Sequence, residues 1–105
     1  MSNKEEILNE IKNTVQQSLP AAKIYLFGSR ASGTEQEESD WDILILTEKK
    51  YPKSMRWQIQ DALFPLSVRL LSFIDITLVA EEEWRSNPAY YCLRTDISNH
   101  KSLAL

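Results

Sequence analysis

The sequence predicts an α/β (α+β) fold in which a small mixed β-sheet carries helices packed on one face. Short apolar runs at residues 23–27, 43–46 and 72–79 have the length and residue types of β-strands. Longer segments with apolar residues at helical spacing lie before, between and after these runs. With 105 residues, the chain has the size of one domain, spanning 1–105, with no room for a second fold.

The composition narrows the class of protein. The chain has 12 basic and 15 acidic residues, which gives a formal net charge of -3. Proteins that bind nucleic acids in general are normally basic, so we expect no stable nucleic-acid binding. No run resembles a signal peptide or a membrane span. The single Cys92 allows no internal disulfide, and together these features predict a cytoplasmic protein without membrane attachment.

Residues 3–19 are predicted to form the first helix. Ser2 or Asn3 is expected to cap its N-terminus, and Pro20 to end it. Its apolar side chains recur on one side at helical spacing: Ile7, Leu8, Ile11, Val15 and Leu19. This pattern is typical of a helix that packs against a sheet and carries no chemistry.

A second long helix is predicted over residues 54–71, with Ser54 as its cap. Its apolar stripe consists of Ile59, Leu63, Leu66 and Leu70. Pro65 lies inside the pattern, so we expect the helix to kink or split there. A last helix is predicted to open at Asn87-Pro88, with the proline in its first turn.

The chemistry is concentrated where the first predicted strand ends. Leu26-Phe27-Gly28-Ser29-Arg30 leaves this strand, and ten residues separate Ser29 from Asp40. Gly28 lacks a Cβ, so the backbone can turn sharply there and approach a ligand closely. Ser29 lies where a helix can start, so its hydroxyl and the N–H groups beyond it are suited to binding a phosphate.

Asp40 and Asp42 are two residues apart at the second predicted strand. Their carboxylates therefore project from the same face, with Leu44, while Trp41, Ile43 and Ile45 project from the other. Two carboxylates this close repel each other unless a cation neutralises them, and Mg²⁺ takes one or two carboxylates plus substrate phosphates. A Gly-Ser turn or an Asp-x-Asp pair alone is most often structural or solvated. The two together, between two strands, are far more specific.

Asp75 interrupts the otherwise apolar third strand. An unpaired buried carboxylate is expensive, so its presence needs an explanation. One explanation is an edge strand on which Asp75 faces water. The other places Asp75 beside Asp40 and Asp42 as a third carboxylate of one site.

The segment Gly28-Ser29-Arg30-Ala31-Ser32-Gly33 followed by Ser39-Asp40-Trp41-Asp42-Ile43 resembles the signature of the DNA polymerase β-type nucleotidyltransferase superfamily. In so short a chain, it is most similar to the minimal nucleotidyltransferases (MNT proteins), many of which are antitoxins paired with HEPN-domain toxins. Ser32 departs from the pattern, because the family often has a basic residue at this position.

This resemblance implies roles for the residues that match. Gly28, Ser29 and Arg30 would bind the nucleotide, although a surface position without this role is an alternative for Arg30. The catalytic and metal-binding residues would be the three aspartates: Asp40, Asp42 and Asp75. The metal would be Mg²⁺, and the third aspartate would come from a later strand, as in the family.

The resemblance also implies a reaction, which is Mg²⁺-dependent transfer of a nucleoside monophosphate to a hydroxyl. The donor would be ATP or another NTP, and the acceptor a tyrosine of a partner HEPN toxin. One alternative is transfer to a small hydroxylated molecule, although such relatives usually carry an additional domain. The other is a non-catalytic antitoxin that neutralises its toxin by contact. Three mutually repelling carboxylates argue against this last alternative.

Overall fold

Helices and strands alternate along the chain, as the sequence patterns predict. The computed structural model describes residues 3–34, 36, 39–99 and 103–105. The elements are α1 (Lys4–Ser18), β1 (Lys23–Phe27), α2 (Ser29–Ser32), β2 (Trp41–Thr47), α3 (Lys53–Leu70), β3 (Ile74–Ala80), α4 (Glu81–Ser86), a 3-10 turn (Pro88–Tyr90), α5 (Tyr91–Asn99) and β4 (Leu103–Ala104). Within the described residues, no helix has the length and apolar content needed to cross a membrane.

The four strands form one mixed sheet in the order β3-β2-β1-β4. β1 is antiparallel to β2 and to β4, whereas β2 and β3 are parallel. A parallel pair needs a crossover connection, which α3 provides. The predicted mixed sheet is therefore confirmed, and the short β4 adds a strand that the sequence patterns did not indicate.

The long helices α1 and α3 cover one face of the sheet. Their predicted apolar sides are confirmed, because both enter a single core with the side chains that β1, β2 and β3 project toward them. The fully enclosed members of this core are Ile11, Val15, Leu26, Ile43, Ile45, Ile59, Leu63, Ile74 and Ile76. The burial of this apolar area is the main source of stability for the fold.

A second, smaller core lies on the other face of the sheet. It consists of Leu44, Leu46 and Val79, with Trp84 and Tyr90 packed against them. The prediction of helices on one face thus holds for α1 and α3, while α4 and the 3-10 turn cover part of the second face. The reason is that Leu44 and Leu46, in the C-terminal half of β2, make that face of the sheet apolar.

The helix ends match the sequence in part. Asn3 caps α1, since its side-chain oxygen accepts a hydrogen bond from the backbone N–H of Glu6 at 2.8 Å. Ser2 lies outside the described residues. The predicted Ser54 cap is wrong, because α3 begins at Lys53 after Pro52 and has no side-chain cap. Of the predicted kink or split at Pro65, the split does not occur: α3 runs through this exposed proline, and the buried Leu63 and Leu66 hold it to the core.

The outer edge of β3 is protected by α3. Arg56 Nε donates to the carbonyl oxygen of Ile76 at 2.9 Å, and Gln60 Nε2 donates to that of Ile74 at 2.5 Å. Arg56 and Gln60 are four residues apart and therefore lie on the same side of the helix. They satisfy carbonyls that an edge strand would otherwise present to another chain.

Replacing a core residue of α3 is expected to cost much more stability than replacing its exposed neighbour. Leu63 is 1% exposed and Phe64 is 64% exposed. Leu63→Ala should lower the free energy of unfolding by about 2–5 kcal/mol through lost burial and a cavity. Phe64→Ala should change it by no more than about 0.5 kcal/mol. Urea denaturation measures both, and equal losses would contradict the packing of α3 described here.

Candidate functional site

Two carboxylates lie side by side at one end of the sheet. Asp42 on β2 is paired in register with Asp75 on the parallel strand β3. Adjacent strands lie about 4.8 Å apart, so their side chains share one face as direct neighbours. Asp40 is exposed and lies immediately before β2. The structure thus brings Asp75 next to Asp42, and it also places Asp75 on an edge strand with its side chain 45% exposed, so both explanations of this residue remain open. The metal-binding and catalytic roles of these residues stay predictions.

Gly28 approaches this pair from β1. A Cβ atom at Gly28 would lie 2.2 Å from Oδ2 of Asp42, closer than any real contact. The backbone of Gly28 also has φ +74°, in the left-handed region that favours glycine. Both observations explain why glycine occupies this position, and they place the turn against the carboxylate of Asp42.

Ser29 begins the single helical turn α2, as predicted from the sequence. The backbone N–H groups of Ala31 and Ser32 both donate to the carbonyl oxygen of Gly28 at 3.1 Å. Gly33 closes the turn in the left-handed conformation, at φ +80°. The turn therefore starts at the acidic end of the sheet, and contact of Ser29 with a phosphate stays a prediction.

Burial and the neighbouring acidic groups raise the pKa of Asp42. Burial of this half-buried carboxyl is the largest cause, followed by the negative charges of Asp75 and Asp40. Each of these effects disfavours the ionised carboxylate. A cation bound at this end of the sheet would reverse the effect, because it stabilises the ionised form.

The donor chemistry fits Mg²⁺, but these aspartates do not form a closed metal cage. In the part of the chain that the structure describes, no group of three or more His, Cys, Asp or Glu residues is arranged to hold a metal. Mg²⁺ in nucleotide enzymes typically binds through one or two carboxylates plus substrate phosphates. The neighbouring Asp42 and Asp75 satisfy that smaller requirement.

Arg30 is occupied by contacts within the protein. Its guanidinium lies 4.2 Å from the centroid of the buried Trp41 ring. Its Nε donates to the carbonyl oxygen of Ser39 at 2.9 Å, and its Nη2 to Oγ of Ser72 at 3.4 Å. Arg30 therefore ties α2 to the segments that lead into β2 and β3. The predicted contact of Arg30 with a nucleotide phosphate stays untested.

The sequence reading missed Arg56. Its Nη2 lies 3.7 Å from Oδ1 of Asp75, while its Nε holds the edge of β3. Both side chains are partly exposed, so the pair itself contributes little to stability. The pair matters for its position, because it holds the positive charge of Arg56, from α3, at the border of the acidic site. No local sequence signal pairs Arg56 with Asp75, because this contact depends on how α3 crosses the sheet.

The fold and this acidic site define a nucleotidyltransferase. The family model described as Polymerase beta, Nucleotidyltransferase matches residues 9–87. The chain therefore belongs to the polymerase beta nucleotidyltransferase family. The matched range includes the Gly28 turn and all three aspartates. No curated protein matches the chain.

Solved structures of toxin–antitoxin complexes are similar to the chain. A toxin–antitoxin with AMP-PNP is 28% identical, with a TM-score of 0.61, over 91% of this chain and 69% of that chain. A form of MntA-HpeT carrying two Asp-to-Glu substitutions is 26% identical, with a TM-score of 0.59 and the same coverage. The MNT antitoxin complex with tri-AMPylated HEPN toxin from Shewanella oneidensis, 23% identical, has a TM-score of 0.59, over 97% of this chain and 71% of that chain. This last similarity shows the fold alone.

The contact between Gly28 and Asp42 can be tested with a matched pair of glycine substitutions. Both glycines have positive φ, but a Cβ at Gly33 would meet no atom within 4 Å. Gly28→Ala should therefore destabilise the fold by about 1–3 kcal/mol more than Gly33→Ala, because it adds a clash to the backbone strain. Urea denaturation measures the difference. Adding Asp42→Ala to both variants should reduce the difference between their free energies of unfolding. A difference that Asp42→Ala leaves unchanged would contradict a clash between the new Cβ and Asp42.

The raised pKa of Asp42 predicts how stability changes with pH in metal-free buffer. Above the ordinary pKa of 3.8, folded Asp42 retains a proton that the unfolded chain has released. Unfolding then releases this proton, so the free energy of unfolding contributed by Asp42 falls as pH rises from the ordinary to the raised pKa. Asp42→Asn should remove this fall and be more stable than wild type at neutral pH.

Thermal unfolding between pH 3 and pH 8, with a chelator present, measures this dependence. Asp61→Asn is the control, since it removes one exposed carboxylate of α3 that lies away from the site. A pH profile of Asp42→Asn that matches wild type would show that the pKa of Asp42 is not raised.

Proposed function

We propose that this protein is a Mg²⁺-dependent nucleotidyltransferase that transfers AMP from ATP to a tyrosine hydroxyl of a partner HEPN toxin in the cytoplasm, and so acts as an antitoxin. The observation that carries the proposal is the pairing of Asp42 with Asp75 beside the Gly28 turn. This arrangement has two neighbouring carboxylates beside a backbone turn that only glycine can form without a clash. Membership of the nucleotidyltransferase family supports the reaction type.

The nucleotide is bound between the turn and the carboxylates. The hydroxyl and backbone N–H of Ser29 contact the β- and γ-phosphates, because the first N–H of a helix has no carbonyl partner within the helix. The N–H groups of Ala31 and Ser32 already donate to the carbonyl oxygen of Gly28. The neighbouring Asp42 and Asp75, with Asp40 before β2 as the predicted third ligand, would hold Mg²⁺, which would offset part of the negative charge of the triphosphate. The mutual repulsion of the three carboxylates favours cation binding.

The chemical step is an in-line displacement at the α-phosphorus of ATP. The acceptor hydroxyl oxygen forms the new P–O bond, and the bond between the α-phosphorus and its bridging oxygen to the β-phosphate breaks. Pyrophosphate leaves with the electron pair of that bond, and the hydroxyl proton passes to Asp75. The protein contributes position and electrostatic stabilisation, which dominate catalysis of phosphoryl and nucleotidyl transfer.

Two of the similar structures support the choice of nucleotide and partner. The toxin–antitoxin that is 28% identical to this chain was solved with AMP-PNP, an ATP analogue. The similar form of MntA-HpeT with two Asp-to-Glu substitutions is also a toxin–antitoxin. An acceptor supplied by a partner protein suits a domain in which α1 and α3 both pack on the sheet, opposite the acidic face.

Nucleotide binding is tested by thermal unfolding with ATP, with and without Mg²⁺. At an ATP concentration about one hundred times Kd, binding should add about 2.7 kcal/mol to the free energy of unfolding. For a domain of this size, Tm should rise on the order of 10 °C. The Asp40→Asn/Asp42→Asn variant should lose the Mg²⁺-dependent rise while remaining folded.

Transfer is tested by incubating the protein with α-labelled ATP, Mg²⁺ and the HEPN toxin. Wild type should label a tyrosine of the toxin, and Asp42→Asn should transfer no label although its metal-free fold is intact. An active Asp42→Asn variant would refute the assigned role of Asp42. Toxin neutralisation without labelling would instead identify an antitoxin that acts by contact.

A further inference from the structure

The solvent-facing side of α3 carries large apolar side chains that the fold leaves uncovered. Trp57 is 59% exposed, Phe64 64%, Val68 54% and Leu71 85%. Together with the exposed Asp61, these residues form what we call the α3 stripe. The apolar surface of the stripe is on the order of 500 Å², which is at the upper end for the largest patch on a monomer.

The α3 stripe has the spacing of a helix-packing seam. Its five residues, from Trp57 to Leu71, follow one another at intervals of four, three, four and three. This alternation is the heptad pattern by which one helix packs along another. The side of α3 that faces the core uses different residues, among them Ile59, Leu63 and Leu66. The α3 stripe is therefore a second apolar side, suited to a helix from another molecule.

The conformation of Leu71 supports a role outside the fold. Leu71 ends α3 with φ 54° in the left-handed region, where glycine is favoured and a leucine is strained. Its side chain is 85% exposed, the highest value among the large hydrophobic residues that the structure describes, so its burial contributes little to the stability of the fold. A strained, exposed leucine in line with the stripe is explained if a partner buries it.

Asp61 restricts the chemistry of that partner. It occupies a central position of the stripe, between Trp57 and Phe64. A carboxylate buried by an apolar partner alone would be costly, so the partner must offer a positive charge there. The matching helix therefore has an apolar heptad seam with one lysine or arginine opposite Asp61.

The N-terminal end of the stripe adjoins the acidic site. The Arg56 guanidinium lies 5.4 Å from the centroid of the Trp57 ring and 3.7 Å from the carboxylate of Asp75. A helix bound along the stripe would thus bring its own protein alongside Asp75. This continuity favours the acceptor protein as the occupant, because its hydroxyl has to reach the same end of the sheet.

We propose that the α3 stripe is the surface on which the protein acceptor docks, through an amphipathic helix with a basic residue facing Asp61. This inference rests on the proposed function and adds the surface that delivers the acceptor hydroxyl. Stable interfaces bury about 800 Å² per partner, so the stripe supplies the apolar core, and polar residues around it supply the remainder.

The proposal is tested by calorimetric titration with the HEPN toxin, purified separately. The stripe variants are Phe64→Ser/Val68→Ser, Asp61→Lys and Leu71→Gly. Tyr91→Ser is the matched control, because Tyr91 is 63% exposed but lies on α5, away from the stripe. Each stripe variant should raise Kd at least about tenfold, and the control should leave Kd within about twofold.

Three further measurements separate docking from damage to the fold or the site. Leu71→Gly relieves the left-handed strain, so it should raise the Tm of the free protein while weakening binding of the toxin. In the transfer assay, stripe variants should raise KM for the toxin at least about tenfold with kcat unchanged. Their thermal shift with ATP and Mg²⁺ should equal that of wild type.

The outcomes distinguish this inference from the proposed function. Wild-type binding that survives all stripe substitutions would overturn the docking surface and leave the function standing. Stripe-dependent binding without label transfer would keep the docking surface and overturn the catalytic proposal. No binding of wild type to the toxin would overturn both. Sedimentation of the free chain as a dimer that Phe64→Ser/Val68→Ser dissociates would assign the stripe to a second copy, against the proposal.

Discussion

The pairing of Asp42 with Asp75 depends on the apolar core beneath it. Ile43 and Ile76 follow these aspartates in the same register, and both are buried under α1 and α3. Because side chains alternate along a strand, a slip of one residue would turn isoleucines to solvent and carboxylates into the core. The core therefore enforces a carboxylate pair that electrostatics alone would separate. Here, the stability of one face of the sheet maintains the chemistry of the other.

Two arginines connect this arrangement to the neighbouring helices α2 and α3. Arg30 holds α2 to the segments that precede β2 and β3, with its guanidinium over Trp41. Arg56 reaches from α3 around the edge of β3 to Asp75. The first positions the Gly28 turn relative to both aspartate strands. The second places a protein cation at the border of the acidic site, where it opposes part of the negative charge.

α3 uses two sides of one helix for different purposes. One side packs Ile59, Leu63 and Leu66 into the core and fixes the crossover between β2 and β3. The other side presents the α3 stripe to solvent. Arg56 and Gln60 donate hydrogen bonds to the edge strand β3. A partner that contacts the stripe would therefore bind to the element that also contacts Asp75. In the proposed function, this geometry links the surface that binds the acceptor protein to the acidic site.

The sequence by itself determined the order of the elements, the apolar sides of α1 and α3, and the positions of the Gly28 turn and three aspartates. These features follow from local periodicity and turn chemistry, which a sequence carries directly. Only the tertiary structure decided the register of Asp42 against Asp75, the internal contacts of Arg30, the reach of Arg56 and the addition of β4. Each of these joins residues distant in the chain, so their contact depends on how the helices and strands pack. The uninterrupted passage of α3 through Pro65 has the same cause, since tertiary packing outweighs the local preference of proline to break a helix.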